Sequence, residues 1–184
     1  TTWLVTGGAG YIGAHVVRAL QQQGLTPVVL DNLSSGLARF VPSEVAFVEA
    51  DILDTAAVAD VLREHGCVGV IHVAGYKYAG VSVQRPLHTY AQNVTGTASV
   101  LTAMADVGVQ NLVFSSSAAV YGTPSSDLVT EDSPNAPESP YGESKLLGAW
   151  LINDQARAVD GFHGVSLRYS NVVGSPPDGI GDLG

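Results

Sequence analysis

The chain has 184 residues, about the size of one domain, and 46% of them are hydrophobic, which is enough for a sizeable core. Its formal net charge of −9 argues against a nucleic-acid-binding surface, which would need clustered lysine and arginine side chains. The single cysteine cannot form an internal disulfide, and we recognise neither a signal peptide nor a long apolar segment, so we expect a protein of the reducing cytoplasm with no membrane segment.

The first predicted elements are a strand, a glycine-rich turn and a helix. The apolar run Trp3–Thr6 leads into Gly7-Gly8-Ala9-Gly10-Tyr11-Ile12-Gly13, and apolar residues then recur at helical spacing over Ile12–Gln23. Glycine permits the backbone angles of a tight turn and lets the chain approach a pyrophosphate closely. The N terminus of the following helix directs free N–H groups at such phosphates. The segment therefore predicts a dinucleotide-binding turn.

The second predicted strand, Thr26–Leu30, is followed directly by Asp31. An acidic residue about 20 positions beyond the glycine turn accepts hydrogen bonds from the 2′-hydroxyl of the adenosine ribose. The same carboxylate would repel a 2′-phosphate. Asp31 therefore favours NAD over NADP.

Strands and helices alternate through the rest of the chain. Short apolar strands that alternate with helices predict an α/β fold, a doubly wound parallel sheet of the Rossmann type with helices on both faces. Ligands bind beyond the carboxyl ends of such strands, where most of the candidate residues fall. The further strands are Val45–Glu49, Val68–Val73, Asn111–Ser115 and Gly164–Arg168, the further helices are Thr55–His65, Thr89–Val107 and Tyr141–Val159, and two loops are predicted at Ser34–Pro42 and Thr123–Pro140.

The last predicted helix carries Tyr141 and Lys145 four residues apart, so both side chains lie on one helix face. A nearby ammonium group stabilises a phenolate, which predicts a pKa for Tyr141 below its usual value and a role as a general acid or base. Ser115–Ser117, at the end of a predicted strand, could present a hydroxyl to the same substrate. A lone Tyr-x-x-x-Lys spacing is common by chance, and the glycine turn supplies the context that favours a catalytic interpretation.

These segments together resemble the extended short-chain dehydrogenase/reductases of the NAD-dependent epimerase/dehydratase family, and among them the UDP-sugar 4-epimerases. The resemblance covers essentially the whole chain in order. The matching segments are Gly7–Gly13, Asp31–Leu33, Asp51-Ile52, His72–Gly75 with Lys77, Val81–Leu87, Asn93–Thr97, Ser115–Gly122, Ser139–Lys145 and Leu167–Gly174.

The resemblance implies NAD-dependent 4-epimerisation of a UDP-sugar of the glucose/galactose type, as in galactose metabolism. In such enzymes the phenolate takes the proton of the sugar 4-hydroxyl while hydride leaves C4 for NAD and later returns to the other face. The implied catalytic residues are Ser117, Tyr141 and Lys145, and the implied substrate contacts are Lys77, Ser117, Tyr141 and Asn171. The implied NAD contacts are Gly7, Gly10, Tyr11, Ile12, Gly13, Asp31, Asn32, Asp51, Ile52, Val73, Ala74, Gly75, Lys77, Asn93, Ser115, Tyr141, Lys145 and Tyr169.

Several neighbouring functions stay open. Sugar-nucleotide 4,6-dehydratases usually carry Asp-Glu where this chain has Ala118-Ala119, which disfavours a dehydratase. Epimerases of UDP-glucuronate, UDP-xylose or N-acetylated UDP-sugars share the same residues, as do related reductases and dehydrogenases. Ser170 stands where the family commonly has phenylalanine, which could alter the sugar pocket. A non-catalytic NAD-binding fragment is a further alternative.

The resemblance also implies a division of the chain and an assembly. We expect residues 1–174 to form the NAD-binding domain with the catalytic residues, and residues 175–184 to begin a substrate region or to be a truncated loop. Most of the substrate domain of such enzymes would then be absent from the chain. Relatives of this type commonly form homodimers through the two long helices, here Thr89–Val107 and Tyr141–Val159. Five scattered histidines and one cysteine show no metal-ligand spacing, so we expect no metal.

Overall fold

Six parallel strands form one sheet in the computed structural model, which describes residues 1–124, 128–175 and 179–181. In chain order they are β1 Thr2–Thr6, β2 Thr26–Asp31, β3 Ala46–Glu49, β4 Cys67–His72, β5 Asn111–Ser115 and β6 His163–Leu167. Across the sheet the order is β3-β2-β1-β4-β5-β6, so the chain returns to the centre of the sheet between β3 and β4. This order confirms the predicted Rossmann fold.

The helices cover both faces of this sheet. They are α1 Tyr11–Gln22, α2 Thr55–Glu64, α3 Ala79–Ser82, α4 Pro86–Tyr90, α5 Gly96–Val107 and α6 Pro140–Ala158, with 3₁₀ turns at Ala38–Phe40 and Ala118–Tyr121. Among the helices of the described residues, none is both long and apolar enough to cross a membrane.

The predicted helix Thr89–Val107 differs most from the structure. It begins three residues earlier, at Pro86, and a π turn at Ala91–Thr95 separates α4 from α5. Proline is tolerated in the first turn of a helix because its missing N–H would have no intrahelical partner there. The four-residue helix α3 was not predicted, since so short a segment has no detectable periodicity.

Strands β1 and β2 are largely buried, as is usual within a parallel sheet, whereas the edge strand β6 is largely exposed, with Val165 at 54% and Leu167 at 46% exposure. Leu4 and Val5 are neighbours on β1, and both are fully buried. Leu4 belongs to the large core cluster with residues of α2, α5 and α6, whereas Val5 packs with Val17 of α1. Around β1 and β2 the sheet is therefore covered by α1 on one face, and the other face packs against α2, α5 and α6.

The strand register brings the carboxyl ends together. Thr6, the last residue of β1, pairs with Leu30 on one side and His72 on the other, and Ser115 pairs with Leu167. The residues that follow these strands therefore share one edge of the sheet, where a ligand site is expected. The predicted division at residue 174 stays a prediction, since most of 175–184 lies outside the described residues.

Candidate active site

The glycine turn connects β1 to α1 through close backbone contacts. Gly7 has a φ of +72°, its N–H donates to Leu30 O at 2.8 Å, and Gly10 N–H donates to Gly7 O at 3.1 Å. A Cβ on Gly7 would lie 2.7 Å from the Ala74 nitrogen, so the turn and the end of β4 leave no room for a side chain. The turn presents bare backbone and the N terminus of α1 to the edge of the sheet, an arrangement suited to phosphate groups.

Asp31 lies at the end of β2, where its side chain is 8% exposed. Its carboxylate accepts hydrogen bonds from the Ala9 N–H at 3.0 Å and the Leu33 N–H at 2.8 Å. Burial raises the pKa of Asp31, and the two N–H donors offset part of that rise. Asp31 therefore joins the glycine turn to the loop after β2 while it lines the cavity.

Two more predicted residues meet beside Asp31. The Asn32 amide donates to the Asp51 carboxylate at 2.9 Å, and Asp51 also accepts from the Leu53 N–H at 2.9 Å. Asn32, Asp51 and Ile52 all line the same cavity. This end of the cavity carries acceptor oxygens, which suit hydroxyl and amino groups.

The catalytic candidates meet at the opposite end, between β5 and α6. The Ser139 hydroxyl caps α6 by accepting from the Gly142 N–H at 3.1 Å, and Pro140 occupies the first turn. Tyr141 is thereby held at the helix start, and its phenol hydrogen-bonds to the Ser117 hydroxyl. The structure brings together a hydroxyl, a phenol and, one turn along, the Lys145 ammonium group.

Lys145 is buried at 5% exposure. Its Nζ donates to Ser115 O at 2.9 Å, and lies 5.1 Å from the Phe114 ring centroid and 5.9 Å from that of Tyr141. Burial lowers the pKa of Lys145 to about 8. The ammonium group therefore lies at the C-terminal end of β5, where it bonds to a backbone carbonyl and lies near two aromatic rings.

The pKa of Tyr141 corrects the sequence-based expectation. Burial raises the pKa of the phenol above its ordinary value, and the hydrogen bond with Ser117 offsets only part of that rise. The spacing of Tyr141 and Lys145 was therefore a sound guide to their proximity and a poor guide to the protonation state. A further positive charge close to the phenol would favour its ionised form.

The three serines after Phe114 point in different directions. Ser115 lines the cavity, and its hydroxyl makes a short hydrogen bond with the Tyr169 phenol. Ser116 is buried, and its hydroxyl is without a hydrogen-bond partner among the described residues. Ser117 turns back toward Tyr141 and accepts from the Ala119 N–H at 3.1 Å. The three consecutive serine side chains therefore lie in three different places, namely at the cavity, in the core and near the Tyr141 phenol.

One cavity of about 690 Å³ connects the two ends of the site. All the predicted NAD contacts line it except Asn93, whose buried amide instead bonds to the Tyr76 backbone and to Ser144. Ser117 and Asn171 lie outside the lining, and Asn171 is exposed. Direct contacts from Asn93 and Asn171 to ligands stay predictions.

Several cavity residues were not predicted. Most lie in loops, while Phe40 lies in a 3₁₀ turn, His88 in α4 and Gln92 in the π turn, and the sequence offered no signal for a cavity contact beyond their closeness to predicted positions. One group follows β2 and another follows β4, where Tyr76 stacks edge-on against Tyr78 and His88 with ring centroids 5.3 and 4.9 Å away. The residues missed are Ser34, Ser35, Gly36, Phe40, Ala50, Tyr76, Tyr78, Arg85, His88, Gln92 and Gly181.

Replacing Lys145 by methionine should change how stability depends on pH. The pKa of Lys145 is about 8 in the folded chain and ordinarily 10.5, so between these values the unfolded chain binds more protons and stability rises with pH. We expect the free energy of unfolding of the unmodified chain, minus that of Lys145→Met, to rise by roughly 2 kcal/mol from pH 7.5 to 10. Urea titrations at both pH values measure this difference.

The other lysine of the chain supplies the control. Lys77 is exposed, so Lys77→Met removes the same charge without removing a buried ammonium group. Its stability difference from the unmodified chain should stay constant between the two pH values. Equal behaviour of the two variants would contradict the burial of Lys145.

Comparison with known proteins agrees with this architecture. A model of the NAD dependent epimerase/dehydratase family matches residues 3–182. The UDP-glucose 4-epimerase of Azospirillum brasilense is 43% identical over 176 residues, covering 96% of this chain and 50% of that protein, and that of Lactobacillus helveticus is 45% identical, covering 96% and 53%. The crystal structure of UDP-glucose 4-epimerase from Brucella ovis in complex with NAD has a TM-score of 0.94 and 42% identity, covering 99% of this chain and 56% of that one.

The matches cover nearly all of this chain but only part of each relative. The chain spans about half the length of the curated relatives it matches. Within that half the family model extends over nearly every residue, and the strand order is that of a dinucleotide-binding sheet. The resemblance predicted from the sequence is confirmed, and the chain belongs to the NAD dependent epimerase/dehydratase family.

Proposed function

We propose that this chain forms the NAD-binding and catalytic part of an enzyme that epimerises a UDP-sugar of the glucose/galactose type at C4. The observation that carries the proposal is the meeting of Ser117, Tyr141 and Lys145 at one end of a cavity whose other end is a glycine turn. The relatives' names support the reaction and the sugar nucleotide. A module that only bound a nucleotide would not need a phenol, a hydroxyl and a buried ammonium group so close together.

The residues of the cavity fit NAD. The volume of about 690 Å³ lies within the range of roughly 300–1,000 Å³ that is usual for ligand and cofactor pockets. The glycine turn at one wall leaves bare backbone for a pyrophosphate, and Asp31 and Asp51 offer acceptors for ribose and adenine groups. Gly75, with a φ of +150°, lets the chain pass close to Lys145.

The chain's own residues supply orientation and proton transfer. Tyr141 accepts the proton of the sugar 4-hydroxyl, and Ser117 hydrogen-bonds to the phenol and to that hydroxyl. Lys145 holds a positive charge beside the phenol and stabilises its ionised form. NAD, held by the glycine turn, Asp31 and Lys145, would supply a reversible hydride acceptor for C4 and a positive charge that favours the Tyr141 phenolate. Lys77 and Asn171 are proposed substrate contacts, and the cytoplasm is the proposed compartment.

The function is tested with UDP-galactose as substrate. The assay uses the full coding sequence in which these 184 residues occur, and measures formation of UDP-glucose by chromatography. We expect conversion in both directions with no net consumption of NAD. UDP-glucuronate, UDP-xylose and UDP-N-acetylglucosamine are run in parallel, because Ser170 is exposed beside the site and the sugar pocket could favour one of them. Bound NAD with no turnover of any UDP-sugar would contradict the proposal and favour a non-catalytic NAD-binding role.

Asp31 should set the preference for NAD. We expect the chain to bind NAD at least about tenfold more tightly than NADP, since a carboxylate beside the ribose repels a 2′-phosphate. Asp31→Ala combined with Asn32→Arg should relax or reverse this preference. Isothermal titration calorimetry with both cofactors measures it.

A matched charge control separates this local effect from net charge. Asp60 is exposed on α2 and pairs with Arg63 at 2.7 Å, so Asp60→Arg changes the total charge by the same amount as the double substitution, far from the ribose position. That variant should keep the preference for NAD. Tighter binding of NADP than of NAD by the unmodified chain would overturn the role of Asp31.

A homodimer through α5 and α6 is proposed for the assembly. Trp150 on α6 is 53% exposed and Leu147 beside it is half-buried, so this helix has apolar surface outside the core, although Leu151 packs partly against the core. Leu101 of α5 belongs to the core and takes no part. We expect a two-fold dimer at micromolar concentration by analytical ultracentrifugation, and a monomer for Trp150→Glu. A concentration-independent monomer for the unmodified protein would rule the dimer out.

A further inference from the structure

A line of buried hydrogen bonds runs from the end of the sheet to the π turn. The Ala74 N–H lies 3.4 Å from Thr6 Oγ1, which lies 2.7 Å from His72 Nδ1. On the other side of the ring, His72 Nε2 lies 3.1 Å from Thr97 Oγ1, which donates to Asn93 O at 2.6 Å. His72, Thr6 and Thr97 are each at most 1% exposed.

The direction of the bonds at His72 follows from the Thr97 end of this line. Asn93 O can only accept, whereas the Ala74 N–H donates to Thr6 O at 3.0 Å and leaves the direction of the Thr6 hydroxyl open. Because the Thr97 hydroxyl donates its proton to Asn93 O, its oxygen accepts a hydrogen bond from His72 Nε2–H. His72 Nδ1 is then unprotonated and accepts from the Thr6 hydroxyl. His72 is thereby assigned as the neutral Nε2–H tautomer, and every member of the line has a partner.

The far end of the line is the π turn. Gly96 N–H bonds to Ala91 O, five residues back, which interrupts the regular helical ladder between α4 and α5. The Thr97 hydroxyl supplies a partner for Asn93 O within this turn. Because Asn93 lies within the π turn, the backbone of this turn sets the direction in which the Asn93 side chain points.

The Asn93 side-chain amide connects the π turn to the cavity wall and to α6 by hydrogen bonds. Its Oδ1 accepts from the Tyr76 N–H at 2.6 Å, and its Nδ2 donates to Tyr76 O at 3.1 Å and to Ser144 Oγ at 2.8 Å. Ser144 donates to the Tyr141 carbonyl at 2.7 Å and directly precedes Lys145. Tyr76 lines the cavity.

We propose that His72 is a positioning residue for the catalytic helix. Held as the Nε2–H tautomer, it joins Thr6 at the end of β1 to Thr97, and through the π turn it sets Asn93, the Tyr76 wall and the start of α6. His72 itself is not among the residues that line the cavity. This role deepens the proposed epimerase function, on which its kinetic consequence rests.

The surroundings of His72 support a fixed neutral ring. Burial, together with the charge of Lys145, lowers the pKa of His72 to about 3. The Phe114 ring lies 5.7 Å away and closes one side. Packing alone does not require a polar side chain at this position. The hydrogen bonds on both sides of the His72 ring therefore indicate that His72 has a role besides packing.

A pair of substitutions at Thr97 separates positioning from packing. Thr97→Val keeps the shape and removes the hydroxyl, whereas Thr97→Ser keeps the hydroxyl and removes a methyl group. We expect Thr97→Val to lower the epimerase kcat by roughly ten- to a hundredfold with little change in KM, because a small misplacement near the reacting groups has effects of this size. Thr97→Ser should retain a kcat near that of the unmodified protein. Normal kcat in Thr97→Val, or a greater loss in Thr97→Ser, would overturn the proposal.

Two measurements on the 184-residue chain need no activity. In ¹⁵N NMR spectra, His72 should show a protonated Nε2 and an unprotonated Nδ1, and an Nδ1–H tautomer or a charged ring would overturn the proposal. Hydrogen exchange at the Tyr76 amide should be at least about tenfold faster in Thr97→Val and unchanged in Thr97→Ser. If no UDP-sugar is converted by the unmodified protein, the proposed function fails while these two results still decide the role of His72.

Discussion

Tyr141→Phe should lower the epimerase kcat by about 10²- to 10⁴-fold while NAD stays bound, since this is the usual contribution of a positioned general acid or base. The substitution removes one hydroxyl and leaves the ring in place against Lys145. Because proton transfer is needed only in the chemical step, kcat should fall and the affinity for NAD should change little. Steady-state kinetics with UDP-galactose and calorimetry with NAD measure the two quantities.

Tyr90→Phe is the matched control for this variant. Tyr90 on α4 also loses a hydroxyl hydrogen bond, to Glu143, but it does not line the cavity. Its kcat should stay near that of the unmodified protein. Near-normal turnover in Tyr141→Phe would contradict the mechanism, and an equal loss in both variants would indicate damage to α6 rather than loss of the proton donor.

The fold could be predicted because its determinants are local and repeated. The inner strands are short apolar runs, and neighbouring residues such as Leu4 and Val5 on β1 face opposite cores. The right-handed rule for crossovers then leaves few strand orders. The glycine turn was readable for a similar reason, since Gly7 and Gly13 sit where the backbone leaves no space for a Cβ. Sequence spacing alone carried these features.

The π turn and the Asn93 network were beyond such reasoning. One extra residue in a helical turn shifts the apolar stripe slightly, and a single shift is hard to detect in the short, mixed sequence Ala-Gln-Asn-Val-Thr of residues 91–95. The partners of Asn93, Tyr76 and Ser144, lie far away in sequence. Resemblance predicted an NAD contact for Asn93, whereas the structure assigns its three side-chain hydrogen bonds to the protein.

The protonation state of Tyr141 depends on burial, which the spacing could not reveal. A lysine one helical turn away favours the phenolate, but removal of both side chains from water opposes charge on either. In this chain burial dominates, so the pKa of Tyr141 is raised and that of Lys145 is lowered. Binding of a positively charged cofactor ring would therefore have a large effect on the phenol.

Gly13→Ala should lower the free energy of unfolding by about 3 kcal/mol or more and abolish measurable NAD binding. Helix propensity alone predicts the opposite sign, because alanine is favoured over glycine in a helix by about 1 kcal/mol. At Gly13, however, a Cβ would lie 2.7 Å from Gly8 Cα and closer still to Gly7 O, and these are backbone atoms of the turn that cannot rotate away. The turn would have to open, which moves the N–H groups away from the pyrophosphate position.

Two further glycine variants should show smaller losses of stability and NAD binding than Gly13→Ala. A Cβ at Gly80, a helical position in α3, would meet no atom within 4 Å, so Gly80→Ala should leave stability and NAD binding near normal. A Cβ at Gly10 would lie 3.3 Å from Gly7 O, which predicts an intermediate loss. Thermal or urea unfolding and calorimetry with NAD give the order Gly80, Gly10, Gly13 if close backbone packing decides the effect. A Gly13→Ala variant as stable as Gly80→Ala would show that propensity outweighs packing in this turn, and that the geometry assigned to it is wrong.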